Sequence, residues 1–184
     1  MHGTLKVLLW AVAAVAAAPF IAFGAYDIFV FQPRMPEIRS LIANAAPEEQ
    51  VPSQSVARVI HVAFSPHIGS HVARLLLAEL KAVPANSGSF GQLVAGSAWS
   101  VLVSLHLSQP GQATLFLSLS PMGATGQGFA KASVAIVGTP LGSVSLAQAA
   151  SLAVVAKAPA LFLSEPERLA NQSAILLRLA KNAL

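Results

Sequence analysis

The chain opens on a long unbroken apolar run and only later settles into the three-to-four-residue alternation of amphipathic helices. From Leu5 to Phe31 it reads LKVLLWAVAAVAAAPFIAFGAYDIFVF, and Lys6 and Asp27 are its sole charged residues. Between them lie about twenty uncharged residues, the number a helix rising about 1.5 Å per residue needs to cross roughly 30 Å of hydrocarbon. Trp10 and Tyr26 stand near the two ends, where amphipathic rings favour the membrane–water interface. Pro19 is compatible with a kinked span. Ala16-Ala17-Ala18 resembles a small-residue cleavage site. The apolar residues nevertheless continue through Pro19-Phe20-Ile21 to Tyr26, which suits an uncleaved anchor better than a signal peptide.

After the anchor, Gln32-Pro33-Arg34-Met35-Pro36 predicts a break. A short helix is expected from Pro36 to Ala45, then a turn at Pro47 and another break at Pro52. Further helices are predicted at Ser55–Phe64, Ser70–Val83, Ser89–Ser108, Gly111–Ser120, Gln127–Val137, Ser145–Lys157 and Ser164–Ala183. Ser145-Leu-Ala-Gln148 and Ser164-Glu-Pro-Glu167 both fit the capping box, in which a hydroxyl and the side chain three residues on satisfy each other's orphan amides. Ser89-Phe-Gly-Gln92 fits it as well. In the last helix Leu169, Leu176 and Leu179 recur at helical spacing, with Arg168, Asn171 and Arg178 on another side. No β-alternation is present, so the fold class is mainly α. The organisation is an anchor (1–31), a juxtamembrane linker (32–54) and a multi-helix domain (55–184).

Composition sharpens this picture. Of 184 residues, 55% are apolar and only 10% charged, against roughly a quarter charged in ordinary soluble domains. Such a chain needs a bilayer, a large partner surface, or both. The net charge of +4 reflects few acids rather than many bases. Lysines and arginines are scattered singly, without the basic cluster that nucleic acid requires, so no nucleic-acid partner is expected. There is no cysteine. Between Lys81 and Lys131 no residue carries fixed charge, and Leu93–Leu107 reads as a buried core helix, too short for a comfortable second span. A polytopic membrane protein is the alternative.

A set of ordered fragments carries a family resemblance. Phe64-Ser-Pro-His67-Ile-Gly69 fits a Phe-x-x-His-x-Gly pattern. Arg74-Leu-Leu-Leu-Ala-Glu-Leu80 follows it, and Ser87-Gly88-Ser89-Phe90-Gly91-Gln92-Leu93 resembles Gly-Gly-Ser-Thr-Ile-Thr-Gln-Gln-Leu. Gly126-Gln-Gly128-Phe129 precedes Ala130 and Ala132, and Gly138-Thr-Pro140-Leu141 comes next. Val144-Ser-Leu-Ala-Gln-Ala-Ala-Ser-Leu-Ala153, Lys157-Ala-Pro159 and Glu165-Pro166-Glu167-Arg168 complete the series. In this order, behind an N-terminal anchor, they resemble glycosyltransferase family 51, the peptidoglycan glycosyltransferases and transglycosylase domains of penicillin-binding proteins. The resemblance implies a lysozyme-like helical domain. It also implies a single span in a bacterial inner membrane, with the C-terminal domain in the periplasm. The partners it implies are the bilayer, lipid II or glycan strands, and cell-wall synthesis proteins; it implies no cofactor.

The same resemblance argues against turnover. The family polymerises lipid II, a transfer that needs a base on the acceptor hydroxyl and electrostatic help for the departing diphosphate. The family's glutamate stands four residues before the motif's phenylalanine, where this chain has Ile60, with His61 beside it; the second glutamate's place falls at His106. Isoleucine cannot take a proton. His61 is a weak substitute base. With base, second carboxylate and much of the phosphate clamp missing, a degenerate copy is expected, with no confident catalytic residue. The candidates for substrate binding are His67, Arg74, Ser89, Gln92 and Gln127. No metal site is expected: His61, His67, His71 and His106 lack a neighbouring Asp or Cys to complete one.

Overall fold

The computed structural model describes residues 2–84 and 87–183, with side chains described for Trp10 and from Val15 onward. Two compact units emerge, Met1–Arg39 and Ser40–Leu184. Among the described residues the architecture is helical throughout, and the only extended pairing is a single antiparallel bridge between Pro121 and Gln127.

The first unit is dominated by α1 (His2–Tyr26), which runs through Pro19 without ending. Val15, Phe20 and Ile21 on it are at least 70% exposed. The continuous helical stretch Val15–Asn44, which takes in the second half of α1, is long and apolar enough to cross a membrane; length and composition suit a bilayer span and a signal sequence alike. The predicted break at Gln32–Pro36 does not occur. The chain instead rewinds through a π turn (Asp27–Phe31) and a 3-10 turn (Gln32–Arg34) straight into α2 (Met35–Asn44). Pro33 and Pro36 lack an amide hydrogen, and both fall in or just after the rewound stretch, where helical amides have alternative partners.

The second unit continues through α3 (Pro47–Gln50), α4 (Gln54–Phe64), α5 (Ile68–Glu79), α6 (Gly88–His106), α7 (Gln109–Leu119) and α8 (Phe129–Ala132). It ends with α9 (Leu146–Lys157), α10 (Pro159–Ser164) and α11 (Pro166–Asn182). The central helix is α9, with Ala149, Ala150, Leu152, Ala153, Val154 and Val155 all buried. An all-round apolar helix has to be enclosed on every side or lie in lipid, and α4 and α11 pack against this one. α5 packs along α6 and α7. Gly69 marks its closest approach: a Cβ there would stand 2.8 Å from Ser104 Oγ and 3.3 Å from Gln112 Oε1. Ser70 and Ser100 close the same contact with a 2.8 Å hydroxyl–hydroxyl bond.

Local signals fared unevenly. The capping box at Ser145 and Gln148 forms, with bonds of 2.9 and 3.3 Å. The one expected at Ser164 does not: Ser164 ends α10 and bonds back to Leu161, while α11 starts after Glu165 with Pro166 in its first turn. Proline fits the first helical turn, where its missing amide costs nothing, and it displaces the start by two residues. Ser89 lies inside α6 rather than at its cap. The expected Gln127–Val137 helix begins at Phe129, after the turn residues Gly123, Gly126 and Gly128, which have φ of +73°, +86° and +98°. It continues as a π turn over Ser133–Val137.

Two findings stand outside the expectations. The turn at Pro47 is a helical turn that presents Glu49, a carboxylate only 4% exposed. Its Oε1 accepts the Ala130 N–H at 2.9 Å and its Oε2 the Ala46 N–H at 3.3 Å. The second finding corrects the reading of Leu93–Leu107 as a core helix. α6 buries Trp99, Leu102 and Val103, but Phe90, Leu93, Val94, Val101 and Leu105 lie open.

Candidate functional site

The most chemically suggestive region is a cleft of about 510 Å³ lined by α4, α5, α7 and the end of α9. Its floor is aromatic. Phe64, the last residue of α4, stacks at a tilt on Phe116 of α7 with 4.4 Å between ring centroids. His71 stands edge-on to Phe64 at 5.2 Å. Phe116 also meets Phe129 at 5.9 Å, which ties the floor to the core.

The rim is cationic. Arg74, one turn after His71 on α5, donates from Nη2 to His71 Nδ1 at 2.9 Å. A guanidinium can only donate, so that ring nitrogen is the acceptor and the imidazole is neutral in this arrangement. Lys157, at the end of α9, lies with Nζ 5.4 Å from the Phe64 ring centroid, within cation–π range. Among the described residues neither Arg74 nor Lys157 is paired with a carboxylate. Burial lowers the His71 pKa below its ordinary value of 6.5, and the positive charges of Arg74, His67 and Lys157 push it the same way. Two fixed positive charges and a neutral imidazole thus meet an aromatic floor with no carboxylate in the lining, an arrangement that favours an anion.

The candidate binding residues fall into different places. Arg74, Ser89 and Gln92 come together, lining a neighbouring cavity of about 720 Å³ between α5 and α6 with Ser70 and Leu93. Arg74 belongs to both cavities and connects them. His67 precedes α5, exposed, and acts on the cleft through its charge on His71. Gln127 sits apart: its amide donates to Glu79 Oε2 at 3.2 Å and fastens the glycine turn to the end of α5. Lys157 and the Phe64–Phe116 floor were not singled out as site residues from sequence. The signal for Lys157 was there, in the Lys-x-Pro fragment Lys157-Ala-Pro159. The floor pairs two helices far apart in sequence and had no local signature.

The positions expected to hold carboxylates hold none. Ile60 is buried on α4, 4% exposed. With His61 it lines a third cavity of about 740 Å³, together with Ser65, Gly69, Ser104 and Gln112. His106 is the last residue of α6. No glutamate or aspartate lines any of these three cavities. Glu79 is engaged by Gln127 and Glu49 by backbone amides. Among the described residues no group of three His, Asp or Glu side chains is arranged to hold a metal. Comparison with protein-family models, with curated proteins and with solved structures returned no match.

Proposed function

We propose that this chain is a membrane-anchored, catalytically degenerate peptidoglycan glycosyltransferase-like protein. In this reading it binds the diphosphate of a lipid-linked cell-wall precursor without polymerising glycan. The observation that carries the reading is the cleft in which Arg74, His71 and Lys157 converge without a carboxylate partner. A diphosphate meets such a site with charge-assisted hydrogen bonds, for which a guanidinium is suited. The missing half of the chemistry supports the degenerate side: a hydroxyl needs a proton acceptor to become a nucleophile, and a buried isoleucine stands where the resemblance places that group. α1 serves as the anchor, and residues 55–184 form a lysozyme-like domain on the periplasmic face of a bacterial inner membrane. Cell-wall synthesis proteins are the natural partners of such a domain.

The test uses the full chain in nanodiscs. Lipid II and a polyprenyl diphosphate should bind, a polyprenol of equal length should bind at least tenfold more weakly, and no glycan polymer should form. Processive polymer abolished by changing His61 or His106 would establish an active divergent enzyme instead. Equal affinity for the diphosphate and the alcohol would remove the diphosphate site.

A further inference from the structure

We propose that α6 lies in the interface of a lipid bilayer, with its outward face among the acyl chains and its inward face on α5. This rests on the reading of α1 as a bilayer anchor, and the experiment below separates the two.

α6 treats its two sides differently. Trp99, Leu102 and Val103 are fully buried, and the small residues Gly69, Ser70, Ser100 and Ser104 let α5 and α6 approach closely. The other side should be polar if it faced water, as surface helices of soluble domains are. α11 largely obeys that rule in the same unit: it leaves Ile175 and Leu179 open, but interspersed with exposed Glu167, Arg168, Asn171, Arg178 and Lys181. α6 does not. Phe90 is 78% exposed, Leu105 68%, Leu93 67%, and Val94 and Val101 50% each. Phe90, Val94, Val101 and Leu105 follow at spacings of four, seven and four, a single stripe about 22 Å long at about 1.5 Å per residue.

Hydrocarbon is the occupant these facts select. No Lys, Arg, Asp or Glu occurs anywhere from residue 82 to 130, so α6 and its flanks offer no charged group with which to steer or register a protein partner. The chain already bears a second apolar helix, α1, whose Val15, Phe20 and Ile21 are equally uncovered. One solvent, the acyl region of a membrane, satisfies both. α6 is also long enough to span by itself, but its inward partner forbids that course. α5 carries Arg74 one turn beyond the Ser70–Ser100 contact, opposite the middle of α6, and a spanning α6 would draw that guanidinium towards the bilayer centre, where ionised groups are strongly disfavoured. A helix lying in the plane immerses one face and leaves α5 in the headgroup region.

The absence of cysteine makes the test direct. Single-cysteine variants of the full chain at Phe90, Leu93, Val101 and Leu105 are spin-labelled in phosphatidylcholine–phosphatidylglycerol vesicles. Phe20→Cys in α1 and Asn171→Cys in α11 serve as the anchor and water references. Collision with oxygen against a water-soluble nickel chelate then reads depth. The expected result is a deep Phe20, a water-exposed Asn171, and all four α6 positions at one similar depth, about 5–10 Å below the headgroups. If the α6 positions collide with nickel like Asn171 while Phe20 stays deep, the α6 proposal fails and the anchor stands. If Phe20 also reads as water, both fail. Depth running from one leaflet through the centre to the other would make α6 a span. Protection from both quenchers, with spin–spin broadening relieved by unlabelled protein, would make the occupant a second copy; either overturns the proposal.

Discussion

Replacing Glu49 with alanine should be the most damaging single change outside the apolar core, and its size follows from the bonds it removes. The carboxylate is 4% exposed and accepts two backbone N–H groups, from Ala130 at 2.9 Å and Ala46 at 3.3 Å. The short charge-assisted bond is worth about 1.5–3 kcal/mol net, and the long one about 0.5–1 kcal/mol. Losing the one buried methylene, Cγ, adds about 0.8 kcal/mol. Relief of the carboxylate's own desolvation offsets part of this, which leaves about 3 kcal/mol. For a unit of about 145 residues, with unfolding entropy near 2.1 cal/mol/K per residue, that lowers Tm by about 10 °C. Glu49→Gln keeps an acceptor for one amide but not the charge, and should lose about half as much. The assay is circular-dichroism melting of the full chain in detergent micelles, with Glu167→Ala on exposed α11 as the reference. If Glu49→Ala melts with Glu167→Ala, the buried carboxylate holds nothing together and the account of the α3–α8 junction is wrong.

Arg74→Ala and Lys157→Ala should each weaken polyprenyl diphosphate binding about tenfold, or about 1.4 kcal/mol, without moving Tm by more than a degree or two; vesicle-flotation titrations read this. Because the folded state holds the His71 pKa below 6.5, the unfolded chain takes up that proton more readily. Its contribution to stability is therefore intact above pH 6.5 and lost as pH falls from there through the folded-state pKa. His71→Asn should flatten that slope in urea titrations between pH 7.5 and 5. A bound diphosphate supplies the missing counter-charge, so its affinity should rise over the same fall in pH. Gly128→Ala should cost about 1–3 kcal/mol, since φ is +98° and the new Cβ would stand 3.0 Å from Glu49 Oε1; urea midpoints check it. Ile60→Glu should yield no polymer from lipid II, because position 60 faces a cavity that shares no lining residue with the cationic cleft.

The helices were legible because their punctuation is local. Ser145 and Gln148 announce the start of α9 within four residues, and the glycines at 123, 126 and 128 announce the turn before α8. What could not be read was whatever depends on a distant partner. Glu49 looks like any acid after a proline until Ala130, 81 positions on, is seen to donate to it. α6 shows the converse limit. Its apolar residues run around the whole helix, so periodicity could not say that one side is buried and the other open. Only the packing of Gly69 and Ser70 against it selects the inward face. Of the site, Arg74, Ser89 and Gln92 were legible as a group because a single pair of adjacent helices carries them. Phe116 reaches the cleft from α7 and nothing in its own neighbourhood points there, while Lys157 reaches it from α9 with only the Lys-x-Pro fragment to mark it.

The separation of the cavities bears on the proposed reading. Binding an anion and activating a hydroxyl are different tasks, and in this chain they map to different walls. α5 and the end of α9 present Arg74, His71 and Lys157 to the cleft, while Ile60 and His61 of α4 look into another space. Whether or not position 60 carries a base, the cationic cleft is untouched, since no side chain lines both cavities. Under the proposed reading, a chain without a base at position 60 therefore keeps its anion-binding wall intact, which is what binding a precursor without turnover requires.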